Sequence, residues 1–371
     1  MKKITVLLSL LLFAIISYAG VINKNEPANG KWDLNKKLLW EVESAGNEVF
    51  GDIQNVVTSK DDRIFVADMK NSLIFIFNKD GKFVRSFGKR GEGPGEIREY
   101  FGGNLFQVVN DQVIFADRTM FHYFDIDGNY IKTTKFSPRL KPREFVNGDI
   151  FISAPVTIDR RGAEFEKILL YNLKTEKKTE IASFKPFDKA TDTQESGGNQ
   201  ITVGIVIGDI TPMMLVRFKD GKLYYGMNSK NELNVCDLNG KNILTFSNLL
   251  KKPNKVSDNY KNDLKARLGD VPPNMLKNII NGLPPNASFF SDVFVDQKGN
   301  IYLFESDPDS TTKKIIDIYS PEGKFIYKSE IRSENDEEIQ LIHMNNDSLL
   351  LVTEDEEGNI IVSKYKIELP N

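Results

Sequence analysis

Two histidines, His122 and His343, and one cysteine, Cys236, are the entire supply of imidazole and thiol in a chain of 371 residues. Zinc centres built on His and Cys clusters are therefore excluded, as is an intramolecular disulfide. Either histidine could serve as a general base. His122 stands between Phe121 and Tyr123 in an aromatic strand, His343 also falls in a strand, and spacing reveals no partner that would orient either ring. No Gly-x-Ser-x-Gly elbow occurs, and no Ser-His-Asp set can be assembled. No catalytic residue is assigned.

The remaining chemistry belongs to carboxylates and guanidinium groups. Asp68, Asp117 and Glu305 each stand just after an apolar strand, and Arg118, Arg160 and Arg161 lie close by in chain order. Carboxylates converging on one point could hold a hard cation through oxygen ligands, and arginines could grip a carboxylate or phosphate. A strand-terminal Asp equally caps the backbone of its own loop, and a repeated position recurs because every copy needs that turn. Arg160-Arg161 breaks the repeat and needs its own explanation. These six residues form the candidate ligand-binding set; no cofactor is expected, and a divalent cation such as calcium is the one candidate the carboxylates leave open. The glycine-rich stretch Gly88 to Ile97 is not a P-loop, since no Gly-Lys-Ser or Gly-Lys-Thr follows and Pro94 removes an amide. Asp125-Ile126-Asp127-Gly128-Asn129 mimics the start of a calcium loop without its distal Glu, and a hairpin explains it.

The elements that must position these residues form a repeat. A polar turn followed by a short apolar strand recurs six times, as in Asp62-Arg63-Ile64-Phe65-Val66-Ala67-Asp68 and Gly299-Asn300-Ile301-Tyr302-Leu303-Phe304. The first five copies are followed by an aromatic or apolar strand, a tight turn and a further strand, as in Phe75-Ile76-Phe77-Asn78-Lys79-Asp80-Gly81-Lys82-Phe83. Asp-Gly and Glu-Gly between such strands are strong hairpin signals. The turns fall at 81, 128, 175, 240 and 323, so the first two intervals are both 47 residues. The longer third interval holds a polar stretch, Asp188 to Asn199, expected as a loop. The fourth holds about 251–286, where Tyr260, Leu264 and Leu268 before Gly269, then Met275, Leu276, Ile279 and Ile280 before Gly282, predict two short amphipathic helices.

A period near 47 with four short strands per unit predicts an all-β, six-bladed propeller with a helical insertion between blades four and five. The last unit stops at its third strand, Ile360 to Lys366. Its missing outer strand is available in Trp32-Asp33-Leu34-Asn35-Lys36-Lys37-Leu38-Leu39-Trp40, which resembles Cys236 to Leu244. Pairing of the two ends in the last blade would close the ring and remove a sheet edge. Ile64 to Asp68, Ile76 to Lys82, Phe87-Gly88 and Gly91-Glu92-Gly93-Pro94-Gly95-Glu96-Ile97 together resemble the NHL-repeat six-bladed propellers, especially an exported bacterial group in which a Gly-Pro-Gly loop follows the first blade. The resemblance spans residues 20–371, with the pattern kept best in blades one and five. It implies the fold far more than an activity.

Lys2-Lys3, the apolar run Ile4 to Ile16 and Ser17-Tyr18-Ala19 before Gly20 match a secretory signal peptide over 1–19, and the run is short for a permanent anchor. No cysteine stands at the cleavage point, so a lipoprotein signal is excluded. The expected organisation is signal 1–19, an N-terminal tether 20–31 and the propeller 32–371, secreted or periplasmic, monomeric and without a membrane span after cleavage. Lys and Arg (49) are interleaved with Asp and Glu (52), for a net charge of -3, and no basic block argues for nucleic acid. The expected class is a binding or interaction module for a protein, peptide or glycan of the cell envelope, with its ligand at the face where the channel opens. The rival is a hydrolase or lyase using a divalent cation at that mouth, which requires several carboxylates meeting near the axis.

Overall fold

The computed structural model describes residues 20–97, 105–117, 119–158, 164–184, 191–196, 199–204, 210–269 and 271–370. Each repeat forms a sheet built on four antiparallel strands, joined in blade three by a fifth, Val156–Ile158, and six such sheets stand around one axis. Blade one is typical: Ile53–Thr58, Ile64–Asp68, Leu73–Phe77 and Phe83–Phe87 pair in chain order from the axis outward. All five residues of Ile64–Asp68 are buried. Its first four residues, Ile64 to Ala67, are apolar without interruption because the strand is covered on both faces. Ile64 and Val66 pack with Leu350 and Val352 of blade six, whereas Phe65 and Ala67 pack with Phe106 and Phe115 of blade two. Six such clusters, one per junction, make up the core of the ring.

The hairpin glycines do more than turn the chain. Gly81 has φ +77°, and a Cβ there would stand 2.5 Å from the indole of Trp40 on the outer strand of blade six. The same meeting recurs around the ring, with Gly128 against Phe87 of blade one and Gly323 against Phe246 of blade four. The turn of one blade thus seats on an aromatic side chain of the blade before it. Trp40 also stacks on Phe77 at 6.3 Å and donates from Nε1 to the Lys79 carbonyl at 3.0 Å.

The ring closes as the end-to-end resemblance predicts. Lys37–Val42 pairs antiparallel with Ile360–Lys366, completing blade six in the order outer strand, Ile360–Lys366, Ser348–Glu354, Glu338–Met344. Residues 20–31, expected as a tether, lie along two further blades. Val21–Ile22 adds a parallel fifth strand to Asn242–Ser247 of blade four. Asn23 then donates to the Gly323 carbonyl at 2.8 Å, and Ala28 to Trp32 bond the backbone of the blade-five strand Phe325–Arg332.

Both insertions take definite form. Helices α1 (Asp258–Arg267) and α2 (Pro273–Asn281) occupy the second, with the Ser257 hydroxyl accepting from the Tyr260 amide at α1's start. Tyr260, Leu264 and Val256 bury a small core with Ile210. The stretch expected as a loop is instead a strand pair, Thr191–Ser196 with Asn199–Gly204.

Gly81 and Gly221 separate backbone strain from packing, because both have φ +77° but nothing lies within 4 Å of a Cβ at Gly221. Gly221→Ala should cost about 1–2 kcal/mol from its left-handed backbone alone. Gly81→Ala should cost about 2 kcal/mol more than that, through collision with Trp40. Urea unfolding of both variants measures the difference, and equal losses would mean that the indole contact does not hold blade one against blade six.

Candidate functional site

The innermost strands Ile53–Thr58, Phe106–Val109, Pro142–Asn147, Met214–Lys219, Phe290–Val295 and Glu338–Met344 surround an axial channel of about 600 Å³. Its polar lining includes Gln54, Gln107, Arg143, Glu144, Arg217, Asp292 and His343. An innermost strand has one edge with no ladder partner, so its backbone groups need side chains or water. Neighbouring blades supply the side chains. Gln107 of blade two exchanges both amide bonds with Phe145 of blade three, at 2.8 and 3.2 Å. Glu144 of blade three accepts from the Phe218 amide of blade four at 2.8 Å. Arg217 of blade four donates to the Val293 carbonyl at 3.0 Å and to Asp292 of blade five at 2.6 Å. His343 of blade six lies 3.1 Å from the Thr58 hydroxyl of blade one.

These groups titrate unusually. Burial drives Glu144 up to about 7 against the opposing pull of Arg217 and the Phe218 amide. Burial, then the charge of Arg217, brings His343 down to about 4, so its ring is neutral at physiological pH. Arg217 and Asp292 line the channel with 45% and 42% of their side-chain surface exposed. Water therefore screens the pair, which contributes no more than about 1 kcal/mol to stability.

Of the residues expected to bind a ligand, Asp68, Asp117 and Glu305 do not line this channel. Asp68 is buried beneath its loop, accepting from the Gly51 amide at 2.9 Å, the Asn71 amide at 3.1 Å and the Asn71 side chain at 3.0 Å. Asp117 accepts from the amides of Thr119 and Met120 and lies 2.9 Å from His122 Nε2, the orienting partner that spacing alone did not reveal. Burial would raise the Asp117 carboxyl, but His122 and the two amides outweigh it and hold it below the usual range. Glu305 lies 3.1 Å from Lys251 and 3.5 Å from Lys328. Lys251 also pairs with Asp317 and precedes the helical insertion, so this cluster fastens the insertion to blade five. Burial works against the Lys251 ammonium, but Asp317 and Glu305 prevail and keep it charged. Arg118, Arg160 and Arg161 lie outside the described residues. Among the described residues, no three His, Cys, Asp or Glu side chains gather where they could hold a metal ion.

The structure brings together a different set at the mouth. A cavity of about 400 Å³ is lined by Tyr260 and Arg267 of α1, by Asp307, Ser310 and Thr311 of a blade-five loop, and by Glu338 and Gln340 at the start of the innermost blade-six strand. It shares Asp292, Phe304, Leu341 and Ile342 with the channel, so the two spaces adjoin. Polar residues that interrupt apolar stretches of the innermost strands, such as Gln107 in Phe106–Val109 and Arg217 in Met214–Lys219, were the readable signal for the axis. Nothing local in the sequence says that α1 reaches the mouth.

Residues 43–147 match a family model described as a 6-bladed beta-propeller, DUF5128. A Bacteroides fragilis protein, named as a candidate exported protein, aligns at 12% identity over 94% of this chain and 100% of its own, with a TM-score of 0.53. A duf4221-family member from Bacteroides vulgatus aligns at 12% identity over 91% and 99%, also at 0.53. These likenesses establish the fold alone. No curated protein matches the sequence, and among the described residues no helix is long and apolar enough to cross a membrane.

Two measurements check this account of the site. Lys251→Met would leave Glu305 and Asp317 buried beside an apolar side chain, at a cost of about 3–5 kcal/mol in chemical denaturation. Removing the exposed Lys261–Asp258 pair by Lys261→Ala should cost far less, and equal effects would remove the fastening role. For Glu144 the folded pKa lies above the ordinary value, so its stabilising contribution is complete below about pH 4.5 and fades as pH rises through about 7. The wild type should therefore lose stability relative to Glu144→Gln across that window, and a pH-independent difference would contradict the shift.

Proposed function

We propose that this chain is an exported, NHL-type propeller that acts as a binding module for a protein segment, peptide or glycan of the cell envelope, seated at the channel mouth beneath α1. The observation that carries this reading is the joint lining of the mouth by the helical insertion and by blades five and six. An aromatic side chain, both signs of charge and several hydroxyl and amide groups face one concave space, a composition suited to orienting a ligand. Export is supported by the lysines, apolar run and Ser17-Tyr18-Ala19 of the first nineteen residues. The rival metal-dependent hydrolase or lyase draws no support from Asp68, Asp117 and Glu305, each of which is held by its own surroundings.

Isothermal titration of the full chain with envelope-derived peptides and oligosaccharides tests the proposal. One saturable site is expected, weakened at least about tenfold, or 1.4 kcal/mol, by Arg267→Ala or Gln340→Ala. Both residues lie at the mouth outside the Tyr260 core, so folding should persist. A ligand whose affinity neither substitution alters would place binding elsewhere.

A further inference from the structure

A second cavity, of about 520 Å³, lies away from the axis where the blade-one exit loop meets blade two. Gly91, Gly93, Pro94, Glu92 and Glu96 line one side; Asp117, His122, Tyr130 and Thr133 line the other. Its volume falls in the range of small-molecule pockets, roughly 300–1,000 Å³.

The loop does not make it an anion cradle, because the amides of Gly91, Gly93, Glu96 and Ile97 are consumed within the loop. A Cβ at Gly91 would stand 2.0 Å from Glu96 Oε2, so the glycine lets Glu96 fold back onto the Gly93 amide and Lys89. The chemistry lies with His122, whose ring is 4% exposed and stacks on Phe115 at 4.9 Å and 9°. Asp117 Oδ1 takes two backbone amides while Oδ2 faces His122 Nε2, so the ionised carboxylate accepts the Nε2 proton. In the neutral imidazole, Nδ1 then presents a lone pair. Nδ1 is buried and meets no hydrogen-bond partner among the described residues. An acceptor left in that state is costly unless a ligand or water supplies a proton donor.

We propose that this cavity is a second ligand site, in which His122, positioned by Asp117, accepts a hydrogen bond from a hydroxyl of a bound saccharide. The Asp117 carboxylate beside His122 disfavours an anion and suits a neutral ligand rich in hydroxyl donors. Tyr130, 40% exposed and backed by Gly95, offers a ring face at the rim, with its hydroxyl held 3.1 Å from Thr133. An aromatic platform beside convergent acceptors suits the apolar face and hydroxyl edge of a pyranose. The site does not depend on the channel mouth.

The test is nitrogen NMR of the full chain labelled at histidine, in which His343→Gln assigns the two rings. The free protein should show a protonated Nε2 and a bare Nδ1 at His122. Titration with glucose, galactose, mannose, N-acetylglucosamine and their disaccharides should move the Nδ1 resonance in a saturable way for at least one sugar. Asp117→Asn should weaken that binding at least tenfold, and the rim change Tyr130→Ala should weaken it without altering the melt, which keeps the test decisive if Asp117→Asn unfolds. A proton found on Nδ1, a bound water that no sugar displaces, or a response only to putrescine or inorganic phosphate would overturn the proposal.

Discussion

The ladder between Lys37–Val42 and Ile360–Lys366 is the contact on which the ring depends. Five of the six junctions join blades that follow one another in the chain, but the junction of blades six and one needs an outer strand from the N-terminus. The same segment does more than close one blade, since it bonds the outer edges of blades four and five on its way. Three edges that would otherwise invite pairing with another chain are covered by one extended strap. Its partners lie more than 200 residues away, so closure costs loop entropy that local hairpins do not.

Closure dictates the character of the channel. With six innermost strands facing the axis, each leaves backbone groups that its own blade cannot satisfy, and Gln107, Glu144, Arg217 and His343 reach across to the next blade. The polarity of the axis is therefore in large part the ring's own hydrogen bonding.

The fold was legible because its signals are local and repeated. The hairpin turns at 81, 128, 240 and 323 each carry a glycine at positive φ, and the apolar runs became the central strands. Ring closure could be read because Trp32 to Trp40 repeats the pattern of an outer strand that one blade lacks. The pairing of Thr191–Ser196 with Asn199–Gly204 was not legible, because the first strand, Thr-Asp-Thr-Gln-Glu-Ser, is polar throughout and lacks the alternation that marks a half-buried strand. The site was less legible for a different reason. Asp68 and Asp117 recur because turns need them, so repetition drew attention to residues that cap loops, whereas Glu144, Arg217 and Asp292 lie inside innermost strands at places that no repeat marks. The pairing of His122 with Asp117 spans five residues, yet it required knowing that a tight turn brings the end of one strand back to the next.

Native-state hydrogen exchange tests the central dependence most directly. If the N-terminal strand closes the ring, the amides bonded between Lys37–Val42 and Ile360–Lys366 should exchange only through global unfolding, with the same free energy and denaturant sensitivity as those of Ile64–Asp68 in blade one. Exchange of that ladder through a local opening of much lower free energy, while blade one stays protected, would show that the ring stands without its clasp.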